Sequence, residues 1–192
     1  YQVYRYLTNF NFPGKSKKNI EHHYDIGDER GEKLYDIFLD TKYRLYSCAY
    51  WKEDTKTLEE AQQNKIDHIV KKLDIKEGQN ILEVGCGWGG MAFEIAKQKK
   101  CKVTGISLSK NQINYCQKKA KELSLDNQVK FELVDYREAK GHYDRIYSVG
   151  MFEHVGKKFY NTFFKSMNKL LKDDGLFLLH TIGVVDSPSP PN

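Results

Sequence analysis

The sequence predicts an α/β protein with a doubly wound, mainly parallel β-sheet. Short apolar runs of strand length alternate with longer segments whose apolar residues recur at helical spacing. A glycine-rich turn follows the first of these runs, where a strand ends and a helix begins. Strands that are separated by helices pair in parallel, and ligands of such sheets bind beyond the carboxyl ends of the strands. We therefore expect a binding crevice at that edge of the sheet.

The predicted elements follow one another along residues 75–183. The periodicity predicts strands at 80–84, 102–106, 129–134, 143–149 and 176–181, and helices at 90–99, 110–123 and 158–171. Two earlier helices are predicted at 31–39 and 58–73, with polar and aromatic connections at 15–28 and 40–57. The chain therefore divides into an N-terminal helical cover over the crevice at 1–74, a cofactor-binding core at 75–183 and a terminal loop at 184–192.

Both ends of the chain have the composition of a cut fragment. The chain begins without Met, and its last residues, Ser187 to Asn192, have the composition of a connecting loop. We therefore expect a piece of a longer protein, in which the C-terminal part of the fold is absent.

The first strand ends in a turn with three alternate glycines, Gly85, Gly87 and Gly89. Because glycine lacks a Cβ, the backbone can turn sharply here and approach a ligand whose carboxylate or phosphate faces the helix N-terminus. The same logic serves NAD, FAD and S-adenosylmethionine, and a tight structural turn is the alternative. In the pattern E-x-G-x-G-x-G the third glycine comes one residue earlier than in the dinucleotide fingerprint, which favours S-adenosylmethionine over NAD.

Composition and charge limit the function classes. At 192 residues with 40% hydrophobic residues, the chain suits one globular domain with a sizeable core. The net charge of +5 and the pI near 8.8 come from scattered lysines, which form solvated faces or favour an anionic membrane surface or nucleic acid. No apolar run approaches the span of a bilayer, and no signal-peptide pattern begins the chain. The four cysteines lack metal-ligand or disulfide spacing, so no metal site is indicated and a reducing cytoplasmic setting is expected.

Chemically active residues follow the predicted strands. Besides the glycine turn, they are Asp135 and Tyr136 after the third strand and the segments 150–154 and 180–183 after the fourth and fifth. In a doubly wound sheet these positions converge at one edge. Asp135 is placed to accept a hydrogen bond from an adenine amino group, and Tyr136 to lie against the adenine ring. The alternative is that both are ordinary loop residues.

Six short blocks of residues carry a resemblance to a known family. They are H-Y-D at 23–25, Y-S-C-A-Y-W at 46–51, G-C-G-W-G at 85–89, S-L-S-K-N-Q at 107–112, F-E-H-V-G at 152–156 and L-L-H-T-I-G at 178–183. From about residue 20 to residue 183, the chain resembles the cyclopropane-fatty-acyl-phospholipid synthases and mycolic acid cyclopropane synthases. These are class I S-adenosylmethionine-dependent methyltransferases with a Rossmann-like fold. Ordered blocks of this kind are far more specific than one glycine turn.

The resemblance implies a site for S-adenosylmethionine or S-adenosylhomocysteine. The second strand carries no acid to hold the ribose, and the family uses the position of Gln112, whose amide supplies both a donor and an acceptor. Outside the family context, Gln112 would be an ordinary exposed helix residue. Aromatic residues suit a sulfonium because ring faces attract cations, although most of the 13 tyrosines are expected to serve packing. The remaining cofactor positions are Tyr24, Tyr46 and Ser47, which close over the methionine part, with Gly85, Gly87, Gly89, Ser107, Leu108, Asp135 and Tyr136.

The resemblance also implies a reaction. In the family an alkene of an acyl chain attacks the activated methyl group, and the resulting carbocation loses a proton to a base before the three-membered ring closes. A bound bicarbonate is that base. The matching catalytic positions are Cys48, Glu153 and His180, with backbone contributions near Val149 and Ile182. Glu153 either donates as an acid or accepts the ion's own proton as a carboxylate. Taken singly, each of these side chains suits core packing or local pairing instead.

Further expectations follow from the family. Its bicarbonate cage also uses a tyrosine that would lie beyond residue 192, so we expect the chain alone to be inactive or weakly active. The expected substrate is an unsaturated phospholipid, reached by transient attachment to an anionic membrane surface, which makes the protein cytoplasmic and peripheral at the inner membrane face. No nucleic-acid partner is expected, because no basic aromatic stripe or base-flipping motif is evident. A homodimer stays open.

Two other functions also stay open. The first is a related transfer, either to a lipid alkene without ring closure or to the nitrogen of a small amine. An amine methyltransferase has no need of a bicarbonate cage, so Cys48, Glu153 and His180 argue against it. The second is a catalytically silent module that binds the cofactor and a membrane or partner.

Overall fold

The computed structural model describes residues 31–183, with side chains from residue 35 onward. The predicted Tyr24, the connection at 15–28 and the loop at 184–192 lie outside the described residues. The helices are α1 (Gly31–Phe38), α2 (Leu58–Leu73), α3 (Gly90–Lys99), α4 (Lys110–Glu122) and α5 (Tyr160–Leu170). The strands are β1 (Asn80–Val84), β2 (Lys102–Ser107), β3 (Val129–Leu133), β4 (Tyr143–Val149) and β5 (Leu171–His180). None of the helices in this part of the chain is both long and apolar enough to cross a bilayer.

All five strands pair in parallel, in the order β3-β2-β1-β4-β5. The chain fills one half of the sheet from β1 outward to β3 and then crosses to the other side of β1. The switch point therefore lies between β1 and β4, and ligands of open α/β sheets bind outside the carboxyl ends of the strands at such a point. The predicted doubly wound parallel fold is confirmed.

Alternate residues of the strands face two separate apolar cores. In β1, Ile81 packs into a core with residues of α2, α3 and α4, whereas Leu82 and Val84 pack into a core with residues of α5. This alternation is the period of two that a strand backbone imposes. Because both faces of the sheet are covered, the strands are apolar along most of their length, and this made them recognisable in the sequence.

Short local signals fix where the helices begin. Thr57 and Glu60 form a reciprocal capping box at the start of α2. At the start of α4, Ser109 accepts the amide N–H of Gln112 at 3.2 Å, which fixes the first turn of that helix at the carboxyl end of β2. Helix α5 begins at Tyr160 rather than at the predicted 158, because a short 3₁₀ turn precedes it.

The start of β5 differs from the prediction. The strand begins at Leu171 rather than at 176. Leu171 pairs with Tyr143 whereas Leu176 pairs with Arg145, so the residues between them bulge from the ladder. A Cβ on Gly175 would lie 2.6 Å from the Leu171 side chain and 2.9 Å from the Lys172 carbonyl oxygen, so this bulge favours glycine. The bulge is polar and lacks the alternation of a strand, which explains why the pattern missed it.

Candidate active site

An open crevice of about 1060 Å³, its mouth included, lies beyond the carboxyl ends of β1 to β4. It occupies the switch point of the sheet, and residues 44–47, from the connection between α1 and α2, close one side of it. Most residues predicted to hold the cofactor line this crevice, namely Tyr46, Ser47, Gly85, Gly87, Ser107, Leu108, Gln112, Asp135 and Tyr136. Of the predicted catalytic positions, Val149 lines it, whereas Cys48, Glu153, His180 and Ile182 lie outside its lining.

The glycines of the turn differ in what surrounds them, since one faces the crevice and another faces the core. The amide N–H groups of Gly85 and the following residue donate to the Ile106 carbonyl at 2.9 and 3.0 Å, which anchors the turn on β2. Gly87 has a φ of +50° and faces open space, since no atom lies within 4 Å of where its Cβ would be. Gly89 faces away from the crevice, because its Cβ would lie 2.9 Å from the Cys116 sulfur. Gly87 therefore leaves room for a ligand, and Gly89 leaves room for the core.

Gln112 is held in the wall of the crevice. Its side chain is buried, and the Ser107 hydroxyl donates to its Oε1 at 3.0 Å. Ser107 also accepts the amide N–H of Ser109 at 3.1 Å, so the end of β2 and the start of α4 form one hydrogen-bonded unit. The Gln112 amide thus lines the crevice beside the end of β2, a strand that carries no acidic residue for a ribose.

The carboxylate of Asp135 forms a buried ion pair with Arg137. Nε of Arg137 lies 2.7 Å from Oδ1, and a terminal nitrogen lies 2.5 Å from Oδ2. The guanidinium also lies over the rings of Tyr136 and Phe159, with distances of 5.3 and 5.8 Å to the ring centroids. Tyr136 packs edge-on against Phe163 while it lines the crevice. A carboxylate has about four acceptor sites, so Asp135 can accept a ligand N–H in addition to Arg137.

A tight turn at residues 40–45 fastens the cover to the core. The buried carboxylate of Asp40 accepts the amide N–H groups of Tyr43, Arg44 and Leu45 at 2.5, 3.1 and 2.9 Å. These hydrogen bonds hold Arg44 in a left-handed backbone conformation with a φ of 54°. A Cβ on Gly90 would lie 1.8 Å from the Tyr43 carbonyl oxygen, so the turn rests directly on the start of α3.

Arg44 joins the cover to the glycine turn. Its guanidinium lies 4.4 Å from the ring centroid of Trp88 and 4.9 Å from that of Tyr115. The same group forms an ion pair with Asp36 at 2.9 Å. Tyr35 packs on the other rings of this cluster, with 5.4 Å between its centroid and that of Trp88. The cover and the glycine turn therefore share one aromatic and cationic cluster.

Two buried ionisable groups lie at the crevice, Glu83 in its lining and Lys65 behind Ser47. Burial raises the pKa of the Glu83 carboxyl to about 8, against the opposing influence of the Tyr147 hydroxyl and the Lys65 ammonium. Burial likewise lowers the pKa of Lys65 to about 8, while Asp40, Cys48 and Glu83 act in the opposite direction. Near neutral pH the lysine is therefore mostly charged and the glutamate mostly protonated.

Glu153 and Ile182, from separate predicted blocks, meet at the end of the sheet. The amide N–H of Ile182 donates to Oε1 of Glu153 at 2.7 Å. Partial burial raises the pKa of Glu153, but hydrogen bonds from this amide and from Thr181 outweigh it, so the net shift is downward. Glu153 is therefore a carboxylate at neutral pH, which favours the interpretation of this residue as a proton acceptor.

The other predicted base-site residues approach the same end of β4. Val149 pairs with His180 in the β4–β5 ladder, and the amide N–H of Gly150 donates to the His180 carbonyl at 3.1 Å. A Cβ on Gly150 would lie 3.6 Å from the Cβ of Ser47, so the segment that carries the exposed Cys48 abuts this strand end. Nδ1 of His180 is buried, and it neither accepts nor donates a hydrogen bond within the described residues.

Sequence reasoning missed several residues of the site. Arg44 and Arg137 line the crevice, and Lys65 contacts it from behind through Ser47. Arg137 could have been found, since it stands two residues after a predicted carboxylate at a strand end. Lys65 carries no signal, because a single lysine in a helix is usually exposed. The structure also places His154 in the crevice lining, although only its neighbour Glu153 had been assigned a role in that block.

A parallel sheet in this strand order, with a glycine turn after its first strand, is shared by several doubly wound nucleotide-binding folds, and the likeness to solved methyltransferases identifies this one as the class I methyltransferase fold. The model of the family described as mycolic acid cyclopropane synthetase matches residues 13–190. The chain belongs to this family, and the predicted resemblance and fold class are confirmed.

Three relatives illustrate the match. Cyclopropane-fatty-acyl-phospholipid synthase of Escherichia coli is 44% identical over 176 residues, which is 91% of this chain and 44% of that protein. The crystal structure of the mycolic acid cyclopropane synthase CmaA1, complexed with SAH and CTAB, has a TM-score of 0.79 at 36% identity, over 85% of this chain and 55% of that one. Coclaurine N-methyltransferase, bound to N-methylheliamine and SAH, has a TM-score of 0.72 at 28% identity, over 86% and 50% of the two chains. The chain thus spans about half the length of the relatives it matches.

Proposed function

We propose that the protein transfers a methylene group from S-adenosylmethionine to the double bond of an unsaturated phospholipid acyl chain, which forms a cyclopropane ring. One observation carries this proposal most directly. The glycine turn, Gln112 and Asp135 line one crevice, and the segments of Cys48, Glu153 and His180 meet at the strand end that borders it. Family membership and the synthase from Escherichia coli support the reaction type.

The crevice fits the cofactor chemically. When bound, S-adenosylmethionine supplies an activated methyl group on a sulfonium. Gly87 would admit its polar end at the turn, and the Gln112 amide would hold the ribose hydroxyls. Asp135 would accept the adenine amino group, with Tyr136 beside the ring. Tyr46 would present a ring face to the cation, and the relatives solved with SAH support this choice of cofactor.

Ser107 and Leu108 complete the proposed cofactor wall, whereas Gly89 serves it only through packing. Tyr24 keeps its predicted role over the methionine part as a proposal outside the described residues. Residues 1–74, of which the structure describes 31–74, keep their predicted role as the cover of this site as part of the proposal.

A bicarbonate ion is the proposed base, held by Cys48, Glu153 and His180 with the backbone near Val149 and Ile182. The buried Nδ1 of His180 offers an unused polar atom, which is consistent with a small polar ligand nearby. The low pKa of Glu153 means that this carboxylate would accept the ion's proton and orient the ion, rather than donate to it.

Deuterium labelling tests the reaction. The complete protein is incubated with S-adenosylmethionine carrying a trideuterated methyl group and with unsaturated phospholipid vesicles, and the acyl chains are analysed by mass spectrometry. Ring closure removes one deuteron from the new methyl group, so a product with two deuterons and no alkene is expected. Three retained deuterons would indicate a methyl branch instead, and a labelled head group or unlabelled lipid would contradict the proposal.

The bicarbonate is tested separately. In carbon-dioxide-depleted buffer the ring-forming rate is expected to fall and to recover when bicarbonate is added. Glu153→Gln should lose most of the rate, whereas Lys72→Met, an exposed change on α2, should not. A rate that is insensitive to bicarbonate would contradict the proposed base while leaving the cofactor site intact.

N-methylation of a small amine is the second candidate, and the likeness to coclaurine N-methyltransferase favours it. The two reactions differ in the fate of the label, because an amine product retains all three deuterons. A silent cofactor-binding module would transfer no label to any acceptor, and His180→Ala would then leave its function unchanged.

Attachment to an anionic membrane surface is part of the same proposal. The cover exposes large apolar side chains, with Ile37 80%, Tyr46 51% and Trp51 55% exposed, and Tyr46 also lines the crevice. Such residues, next to lysines, suit transient binding to lipid headgroups. Co-sedimentation with anionic vesicles should be strong at low salt and weak at high salt, and no binding at low salt would contradict this part.

A further inference from the structure

We propose that Lys65 is a positioning residue that fixes the Ser47 hydroxyl as a hydrogen-bond donor into the crevice. The ligand group that this donor would meet is an anionic acceptor, which in the proposed function is the carboxylate of the cofactor's methionine part. The inference therefore rests on the proposed function and adds a residue to it.

The contact geometry carries the first step. Nζ of Lys65 lies 2.6 Å from Oγ of Ser47 and 3.4 Å from its carbonyl oxygen. An ammonium has three donors and no acceptor, so Oγ must accept from it. The hydroxyl proton of Ser47 is then free to point elsewhere, and Ser47 lines the crevice whereas Lys65 does not.

Helix α2 supplies a rigid platform for this contact. Gln62, one turn before Lys65, donates from Nε2 to the carbonyls of Leu45 and Ser47 at 3.3 and 3.2 Å. The same face of the helix carries Ile66, which is fully buried in the core. The helix thus holds the backbone of residues 45–47 through Gln62 and the hydroxyl of Ser47 through Lys65.

The burial of the lysine argues that its charge has a use. Lys65 is only 4% exposed, and burial of a cation costs stability unless it is paired and hydrogen-bonded. The titratable groups that face it are Asp40, Cys48 and Glu83, and all three favour its charged form. A methionine at this position would fill the same space at a lower desolvation cost. Packing alone therefore does not require a lysine.

The electrostatics predict how pH would act on this contact. The pKa of Lys65 is lowered to about 8, so its ammonium is present below that pH and is lost as the pH rises through it. A hydrogen bond from a charged donor is roughly twice as strong as one from a neutral donor, so the hold on Ser47 weakens in alkali. Glu83 has its pKa in the same region and must be separated from this effect by substitution.

Calorimetric binding to the complete protein tests the inference with two probes. S-adenosylhomocysteine carries the amino-acid carboxylate, whereas 5′-methylthioadenosine lacks it. Lys65→Met is expected to weaken S-adenosylhomocysteine roughly tenfold, the scale of one charge-assisted hydrogen bond, and to leave 5′-methylthioadenosine unchanged. Thermal unfolding should be unchanged or shifted upward, and Lys72→Met is the matched surface control.

Two further variants keep the inference falsifiable. In Ser47→Ala the added Lys65→Met change should have no further effect, because the double-mutant cycle removes their shared contact. Lys65→Arg should retain affinity but abolish the alkaline loss that the unmodified protein and Glu83→Gln both show. Equal affinity of Lys65→Met and the unmodified protein, additive effects with Ser47→Ala, or an alkaline loss retained in Lys65→Arg would each overturn the inference alone. Failure of the unmodified protein to bind S-adenosylhomocysteine would overturn the proposed function, and the inference with it.

Discussion

Arg137 holds both oxygens of Asp135, with its Nε 2.7 Å from one and a terminal nitrogen 2.5 Å from the other. The side chains are 15% and 4% exposed, so solvent screens the pair little. The amide N–H of Arg137 also donates to Asp135 at 3.0 Å, which ties the carboxylate to its own loop. Arg137 therefore fixes the orientation of the Asp135 carboxylate, which lines the crevice just after β3.

Arg137→Gln is expected to weaken binding of S-adenosylhomocysteine and to lower stability. Removal of one partner leaves a buried carboxylate unpaired, which costs about 3 kcal/mol in the free energy of unfolding. The affinity should fall roughly tenfold, because Asp135 loses its fixed orientation. Calorimetry and thermal unfolding measure the two effects, with the exposed Lys140→Gln as a control. Unchanged affinity in Arg137→Gln would contradict the proposal that Asp135 binds the ligand.

Gly87→Ala and Gly89→Ala are expected to fail in different ways. Both glycines have positive φ, so each alanine adds about 1–2 kcal/mol of backbone strain. At Gly89 the new Cβ would also meet Cys116, Phe93 and Phe131 at 2.9 to 3.0 Å, so most of the loss should be in the free energy of unfolding. At Gly87 the space is open, so the larger loss should be in affinity for S-adenosylhomocysteine. If the loss of affinity relative to the loss of unfolding free energy were the same in both variants, the two glycines would not have these separate roles.

This difference between the glycines shows where sequence reasoning stopped. Alternate glycines after an apolar run were enough to predict the strand, the turn, the helix and the crevice, because each follows from local periodicity and parallel topology. The atoms that the missing Cβ of Gly89 would meet belong to α3, α4 and β3, and the packing of these elements around the turn cannot be seen in the local pattern. Gly89 therefore received a ligand role on the pattern, although its neighbours are core residues.

Long-range charge contacts were equally hidden. Gln112 could be singled out because β2 lacks the expected acid and the family resemblance assigns the ribose to this position, and the structure places its amide in the crevice wall. Lys65 and Arg44 reach the site only because α2 and the turn at 40–45 fold over it, and no periodicity or motif in the sequence predicts these two contacts. Helices and strands follow from patterning, whereas the side chains that position a site depend on packing between distant segments.

Acid is expected to release the contact between Glu153 and the end of β5. The pKa of this carboxyl is lowered from its ordinary 4.5, because hydrogen bonds from Ile182 and Thr181 outweigh partial burial. The ionised form therefore stabilises the folded contact above about pH 4.5, and this stabilisation is lost as the pH falls through the lower folded-state pKa. In NMR, the carboxyl carbon of Glu153 should titrate below 4.5, and the Ile182 amide proton should shift with the same midpoint. An Ile182 shift that persists in Glu153→Gln would contradict this assignment.

Asp40→Asn is expected to loosen the cover more than its small chemical change suggests. The carboxylate accepts Tyr43 and Arg44 on Oδ1 and Leu45 on Oδ2, all within 3.1 Å. An asparagine can accept on only one side, so its NH₂ group would face an amide N–H on the other. The free energy of unfolding should fall by about 1–3 kcal/mol, the cost of an unsatisfied buried donor.

The affinity of this variant for S-adenosylhomocysteine should fall as well, since the turn carries the chain onward to Tyr46 and Ser47. Asp54→Asn is the matched control, because it removes the same charge from an exposed side chain in the same connection between α1 and α2. Surface substitutions away from buried contacts change the free energy of unfolding by about 0.5 kcal/mol or less, so this control should remain close to the unmodified protein. If both variants behave alike in unfolding and in calorimetry, the Asp40 turn does not hold the cover, and the crevice wall at 44–47 depends on α2 alone.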